Sequence, residues 1–328
     1  MRRRRLVTHC HSWQLTEPFV ISRGSMATSD VAIVELHEGN HVGRSETVGV
    51  LYRGETPETI SRQIESVHAA IEAGAGREDL YQLLPAGGAR NALDCALWDL
   101  EAKLTGVRTW QSAGMPRGGP VRTAVTIGIR PLSAYESAAR RLADHPWIKI
   151  KVGHSEPVEA VRIVRHAAPN ARLVVDPNQA WSIAELEAYA PAMAQLKVDL
   201  LEQPVSAGAD DGLLGLNLPI PICADEAVNT IDELPHLIGR YQFINIKLDK
   251  TGGLTEALRL AHAARAQGLR LMVGCMTGGS LAMAPAMVLA QICEVVDLDG
   301  PVLQQEDWPG GIVYERGTMQ PPWPAFWG

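Results

Sequence analysis

Short hydrophobic runs recur through the second two-thirds of the chain, and six of them end in charged side chains. They are Trp147-Ile148-Lys149-Ile150-Lys151, Leu173-Val174-Val175-Asp176, Asp199-Leu200-Leu201-Glu202, Ile222-Cys223-Ala224-Asp225, Phe243-Ile244-Asn245-Ile246-Lys247 and Val295-Val296-Asp297-Leu298-Asp299. From Lys151 the steps to Asp176, Glu202, Asp225 and Lys247 are 25, 26, 23 and 22 residues. Each step is the length of one strand, one helix and two loops. Apolar positions at helical spacing fill 182–195 and 254–267 between the runs. From Val121 onward the pattern predicts strands alternating with amphipathic helices. Together these features predict an α/β fold, a (β/α) barrel whose charged residues gather where the strands end.

Residues 1–118 have a different rhythm. Val31 to Leu36 reads as a strand, and Glu38-Gly39-Asn40 as a turn into a second one. Thr56-Pro57 reads as a helix start, with threonine as cap and proline in the first turn. Ala89, Ala92, Leu93, Ala96, Leu97, Leu100 and Leu104 mark one apolar helical face, which Gly106 ends. Strands followed by helices predict an α+β domain over 1–118. The Gly- and Pro-rich stretch Gly114–Pro120 is the expected junction. The barrel is expected over 119–306, and the Pro-rich segment 307–328 as a non-helical tail returning to the first domain.

Bulk composition removes several function classes. Lys+Arg 30 against Asp+Glu 37 gives a net charge of −7, which argues against a general nucleic-acid surface. The basic run Arg2–Arg5 reads as the solvated start of a first strand. No run approaches the ~18 apolar residues of a membrane span. The five cysteines are scattered and lack a CxxC pair, as expected for reduced thiols in a cytoplasmic protein.

Asp176, Glu202 and Asp225 end three consecutive expected strands, and neighbouring strands lie ~4.8 Å apart. Alone, each acid would serve as readily as a helix cap. Three in register would repel unless a cation joined them. Oxygen-only ligands favour Mg²⁺, with Mn²⁺ also able to serve, and disfavour zinc. Lys151 and Lys247 flank the trio, and strand alternation turns Lys149 and Lys151 to one face. A nearby cation, another ammonium and desolvation would each lower a lysine pKa toward that of a working base. A metal between two bases suits proton abstraction beside a carboxylate. One lysine would remove the α-proton and the other return it from the opposite face, with Lys149 helping to hold the carboxylate.

The segments Lys149-Ile150-Lys151, Asp176-Pro177-Asn178-Gln179-Ala180-Trp181, Leu201-Glu202-Gln203-Pro204, Ala224-Asp225-Glu226 and Asn245-Ile246-Lys247 together resemble the enolase superfamily, muconate-lactonising subgroup. The resemblance spans nearly the whole chain. It implies a modified (β/α)₇β TIM-like barrel with an N-terminal capping domain completed by the C-terminal tail. It also implies Mg²⁺ on Asp176, Glu202 and Asp225, and Lys151 with Lys247 as the acid/base pair.

Asp297-Leu298-Asp299 resembles the Asp-x-Asp motif with which dipeptide epimerases hold a free amino terminus. The segments 91–100 and 247–255 are similar to those of L-Ala-D/L-Glu epimerases in particular. The implied reaction is a 1,1-proton transfer at the C-terminal residue of a dipeptide, with L-Ala-D-Glu from murein turnover favoured. By the same resemblance Arg23 would pair with the substrate side-chain carboxylate, and Thr126 and Cys275 match substrate-contact positions. Pro177, Ala180 and Ala227 depart from the family pattern without touching the expected ligands. The capping loop Arg44–Val50 departs further, which leaves other dipeptides open. The expected partner is a small molecule, with no nucleic acid and no membrane, and a homo-oligomer is allowed.

Alternatives within the superfamily are a cycloisomerase, an o-succinylbenzoate synthase or an N-succinylamino-acid racemase. Their substrates lack the ammonium that Asp297 and Asp299 would bind. Beyond the superfamily stand a Schiff-base aldolase using Lys151 or Lys247, and an inactive binding protein on the same scaffold.

Overall fold

The computed structural model describes residues 4–116 and 118–328. Arg2 and Arg3 of the basic run, and Arg117 of the junction, lie outside the described residues. The first three strands, Arg4–Ile21, Gly24–Glu38 and His41–Thr47, form an antiparallel sheet in chain order. The helix Pro57–Ser66 starts as expected: Thr56 and Thr59 bond reciprocally and Pro57 opens the first turn. The helix Gly88–Thr105 lies across the sheet and ends at Gly106, whose φ of +73° is easy only for glycine. Its Ala92, Leu93, Ala96 and Leu100 pack with Leu6, Val34 and Leu36.

Sheet and helix approach closely at Gly43. A Cβ there would lie 2.2 Å from the Ala96 carbonyl oxygen and 2.5 Å from Leu100 Cβ, with the helix backbone in the way. Gly43→Ala is therefore expected to lower stability by about 1–3 kcal/mol, the usual range for overpacking. Urea denaturation measures it, and an unchanged midpoint would show that the helix moves aside freely.

Eight parallel strands follow: Ala124–Ile127, Trp147–Lys151, Arg172–Asp176, Leu200–Glu202, Ile222–Ala224, Phe243–Lys247, Arg270–Gly274 and Val295–Asp297. They stand side by side in sequence order. The ends of the series meet through Thr123, whose hydroxyl accepts from the Leu298 N–H at 2.8 Å. One residue from each strand (Ala124, Trp147, Val174, Leu200, Cys223, Phe243, Met272 and Val295) fills the interior as an apolar plug. Two residues further along every strand, alternation returns to the interior at Thr126, Lys149, Asp176, Glu202, Asp225, Asn245, Gly274 and Asp297. The polar layer thus stands directly on a hydrophobic floor. Gly274 is part of this construction, because a Cβ there would lie 2.7 Å from the Asn245 amide.

Helices do not alternate with strands throughout, contrary to expectation. The fourth and fifth strands are joined by a 3-10 turn, Asp210–Leu213, and no α-helix. Pro204, Gly208, Gly212, Gly215, Pro219 and Pro221 interrupt any helix there. The next connection has only Ile231–Glu233 and the four-residue helix Leu234–Leu237.

Three contacts bind the first sheet to the barrel around the strand ends. Asp249 accepts from the Thr47 hydroxyl at 2.6 Å and from the Val48 and Gly49 N–H groups at 3.1 and 2.8 Å. Glu46 accepts from the Trp13 and Trp308 indoles and the Gly279 N–H. Ser29 bonds Thr277 at 2.7 Å. Burial raises the Glu46 pKa to about 7 against those donors. The tail pairs Thr318–Met319 with Val121–Arg122, then reaches the first sheet and its helix. Trp327 donates to the Arg44 carbonyl, and the Gly328 N–H donates to Asp99.

Candidate active site

The polar layer opens into a cavity of about 480 Å³. Thr126, Lys149, Lys151, Lys247, Cys275, Asp297 and Asp299 line it from the barrel, and Arg23 lines it from the first domain. A larger groove of about 580 Å³ lies between the tail and the last barrel helix, and it lacks the lysine and carboxylate set. The hairpin tip around Arg23 crosses the cavity mouth. Val20 accepts from the Ile129 N–H at 2.8 Å, Ser22 donates to the Asn178 carbonyl at 3.1 Å, and Arg23 pairs with Glu226. The Arg23 guanidinium also lies 5.0 Å over the Tyr52 ring. Arg23 therefore has a partner within the protein, which the sequence did not suggest.

Lysines and carboxylates pair inside the ring. Lys149 Nζ stands at the centre, 3.1 Å from Asp176, 2.8 Å from Glu202 and 2.8 Å from Asp297. Lys151 pairs with Asp176 at 2.6 Å, and Lys247 with Asp225 at 2.7 Å. These two amines come from the second and sixth strands, half a turn apart in a ring of eight. Asn245 donates to Glu202 at 2.9 Å, and the Asn178 N–H donates to Asp176 at 2.8 Å.

Electrostatics in this layer run in opposed pairs. Burial opposes ionisation of Asp176, but Lys151 and Lys149 outweigh it and hold the pKa at about 2. Asp225 is likewise held well below its ordinary value, because Lys247 and Lys250 overcome burial. Glu202 goes the other way: burial and then Asp176 lift it to about 8. The Lys149 pKa is raised well above normal, since Asp297, Glu202 and Asp176 outweigh its burial. The Lys247 pKa is raised too, with Asp225 prevailing over burial. The Asp225 carboxylate beside the amine sets that direction, whereas the expected lowering belongs to a site in which a cation occupies that carboxylate.

Asp297 and Asp299 both face the cavity, but differently from the expected shared strand face. The strand ends at Asp297, and Asp299 leads into the 3-10 turn Gly300–Leu303. Asp299 accepts from the Thr126 N–H at 2.7 Å. Burial and then Asp297 raise its pKa to about 6. Asp297 gives one oxygen to Lys149, and its Oδ1 is buried with no hydrogen-bond partner among the described residues. Burial pushes the Cys275 thiol pKa well up, which leaves it a neutral wall residue.

Lys250 was missed by sequence reasoning. It is 1% exposed and donates to Asp225 Oδ1 at 2.7 Å and to the Asn245 carbonyl at 3.1 Å. It lies on the short helix Leu248–Thr251 past the strand end, where strand periodicity carries no signal.

Asp176, Glu202 and Asp225 fit a hard divalent cation. They are three buried carboxylates without a thiolate or imidazole among them, and Glu202 is crowded by like charge. Their oxygens are not gathered within 4.8 Å of one another, and a lysine stands against each. Among the described residues that spacing occurs at Asp210, Asp211 and His236, outside the cavity.

A parallel barrel with buried acids and amines paired beneath a capping sheet suits enzymes that move protons beside a carboxylate. Residues 134–323 match the family model described as enolase C-terminal domain-like. Residues 3–114 match that of the mandelate racemase / muconate lactonizing enzyme N-terminal domain. The chain belongs to this family of the enolase superfamily. It is 41% identical to an L-Ala-D/L-Glu epimerase of Escherichia coli K12, over 94% of this chain and 97% of that protein. It is 39% identical to an N-acetyl-D-glutamate racemase of a Pseudoalteromonas species, over 90% and 94%. A solved enolase family member from Agrobacterium tumefaciens, with homology to dipeptide epimerases and with sodium and L-Ala-L-Glu bound, superposes with a TM-score of 0.96. It is 41% identical, and the match covers 99% of this chain and all of that one. Other solved dipeptide epimerases with this fold hold Mg and a dipeptide. Mg²⁺ is the cofactor of this family site.

Proposed function

We propose that this protein is a Mg²⁺-dependent epimerase that inverts the α-carbon of the C-terminal residue of a dipeptide, with L-Ala-D-Glu and L-Ala-L-Glu as its substrate pair. The observation that carries the reading is the placing of Lys151 and Lys247 half a ring apart around three buried acids. Asp176, Glu202 and Asp225 would hold the cation. When bound, it supplies a site for the substrate carboxylate and takes up negative charge there as the α-proton leaves.

The chain's own groups do the rest. Lys151 Nζ and Lys247 Nζ face the α-carbon from opposite sides, so one takes the proton and the other delivers one. Lys149, locked among three acids, is a fixed positive charge beside the substrate carboxylate. Asp297 Oδ1 is the free acceptor for the substrate ammonium, with Asp299 behind it. Arg23 uses Nη1 toward Glu226, and its remaining donors suit the glutamate side-chain carboxylate. Thr126 and Cys275 border the dipeptide. A cytoplasmic role in recovering murein peptides agrees with five free cysteines.

The first test is α-proton exchange. L-Ala-D-Glu incubated with enzyme and Mg²⁺ in D₂O should gain deuterium and epimerise, and failure of both would remove the function. A second reading, racemisation of an N-acylated glutamate, has two observations behind it: Lys149 already neutralises part of the Asp297 charge, and the chain is 39% identical to an N-acetyl-D-glutamate racemase. Asp297→Asn with Asp299→Asn separates the two. The double variant should lose about 10²-fold in kcat/KM on L-Ala-D-Glu, the scale of an unpaired substrate charge. Equal losses on N-acetyl-D-glutamate would show that these acids do not read the ammonium.

A further inference from the structure

The loop that carries Asp225 is held from behind by one amide. Gln203 follows Glu202 directly and is fully buried. Its Oε1 accepts from the backbone N–H of Asp225 at 2.8 Å and of Ala227 at 3.1 Å. Its Nε2 donates to the Val205 carbonyl at 2.9 Å and to the Tyr241 hydroxyl at 3.0 Å. The backbone of Gln203 has φ +33°, a conformation a non-glycine residue keeps only where its surroundings enforce it. Four bonds through one carboxamide supply that enforcement.

A phenol has one hydrogen to give. Tyr241 gives it to Asp210 Oδ2 at 3.0 Å, so a lone pair of its oxygen faces the Gln203 NH₂ group. Asp210 is 2% exposed, and its other oxygen meets His236 Nε2 at 2.9 Å. Tyr241 and Asp210 lie outside the cavity.

We propose that Tyr241 and Asp210 are positioning residues for the cation site, acting through Gln203 on the backbone of Asp225. With the phenol hydrogen drawn to Asp210, the Gln203 amide keeps its NH₂ toward Tyr241 and its oxygen toward Asp225 and Ala227. Without Asp210 the phenol hydrogen is free to turn toward that NH₂, where two donors oppose each other. Without the hydroxyl the NH₂ loses one of its two acceptors. In both cases the backbone N–H of Asp225 is held less firmly, and its carboxylate with it. The role rests on Asp225 holding the cation, as proposed above.

Calorimetric titration of Mg²⁺ into the EDTA-dialysed full-length enzyme tests this without turnover. Tyr241→Phe and Asp210→Ala should each weaken Mg²⁺ binding roughly tenfold, the lower end of what partners of metal ligands contribute. Asp210→Asn keeps an acceptor for the phenol and should stay within about threefold of the parent. In turnover assays the two damaging variants should need more Mg²⁺ but approach the parental kcat at saturation. A merely structural role would lower the melting temperature and leave this Mg²⁺ requirement unmoved. Asp225→Asn is the reference. If it weakens Mg²⁺ binding while Tyr241→Phe and Asp210→Ala both match the parent, the positioning role is wrong. If Asp225→Asn itself binds Mg²⁺ normally, the cation assignment falls, and the positioning role with it. Should Asp210→Ala fail to fold, Tyr241→Phe alone decides.

Discussion

Lys151→Ala and Lys247→Ala are each expected to abolish epimerisation of L-Ala-D-Glu while leaving half of the exchange chemistry in place. A positioned acid or base contributes roughly 10²- to 10⁴-fold. An inversion needs both, so either single variant should fall by at least the lower figure. The two amines reach the cavity from the second and sixth of eight strands. In the proposed mechanism each therefore serves one face of the α-carbon. In D₂O, Lys151→Ala should exchange the α-proton of one epimer and not the other, and Lys247→Ala should show the reverse preference. NMR of the two dipeptide epimers reads this directly. Exchange of both epimers by either variant would mean that one lysine serves both faces.

Chelation should have an effect of similar size. Treatment with EDTA is expected to remove activity, and Mg²⁺ to restore it. Glu202→Gln should lose about 10³-fold or more in kcat, since a Lewis-acid site contributes several kcal/mol and each 1.36 kcal/mol is tenfold. Glu202 is the informative one of the three proposed ligands. Asp176 and Asp225 each have a lysine of the proposed acid/base pair beside them, so their substitution would also disturb a proposed base. Glu202 faces Lys149 and Asn245 instead. Retention of full activity after exhaustive chelation would leave the acids without their proposed task. Borohydride trapping of a carbonyl substrate on either lysine would favour the aldolase reading.

Much of this site was readable in the chain because barrel strands impose a period of two and a repeat of one strand plus one helix. Hence Asp176, Glu202 and Asp225 were traceable to one point at the strand ends, with Lys149, Lys151 and Lys247 near it. What escaped was whatever depends on contacts between distant segments. Lys250 lies just past a strand end, and its burial against Asp225 cannot be inferred from its neighbours. Glu226 sits beside a proposed metal ligand, yet its partner Arg23 is 203 residues away. The missing helix between the fourth and fifth strands was visible in its prolines and glycines, but the regular repeat around it predicted otherwise.

Asp249 ties two evolutionary choices together. It follows Lys247 by two residues and clasps Thr47, Val48 and Gly49, and Val48 is part of the cavity wall. Selection for a new substrate therefore cannot rebuild that stretch of wall without disturbing the mounting of Lys247, a proposed base. Leu51 and Tyr52 lie outside that clasp, 50% and 40% exposed at the rim of the same cavity, with Tyr52 beneath the Arg23 guanidinium. Diversification of substrate range in this lineage should accumulate at those two rim positions, while the clasped segment stays nearly constant.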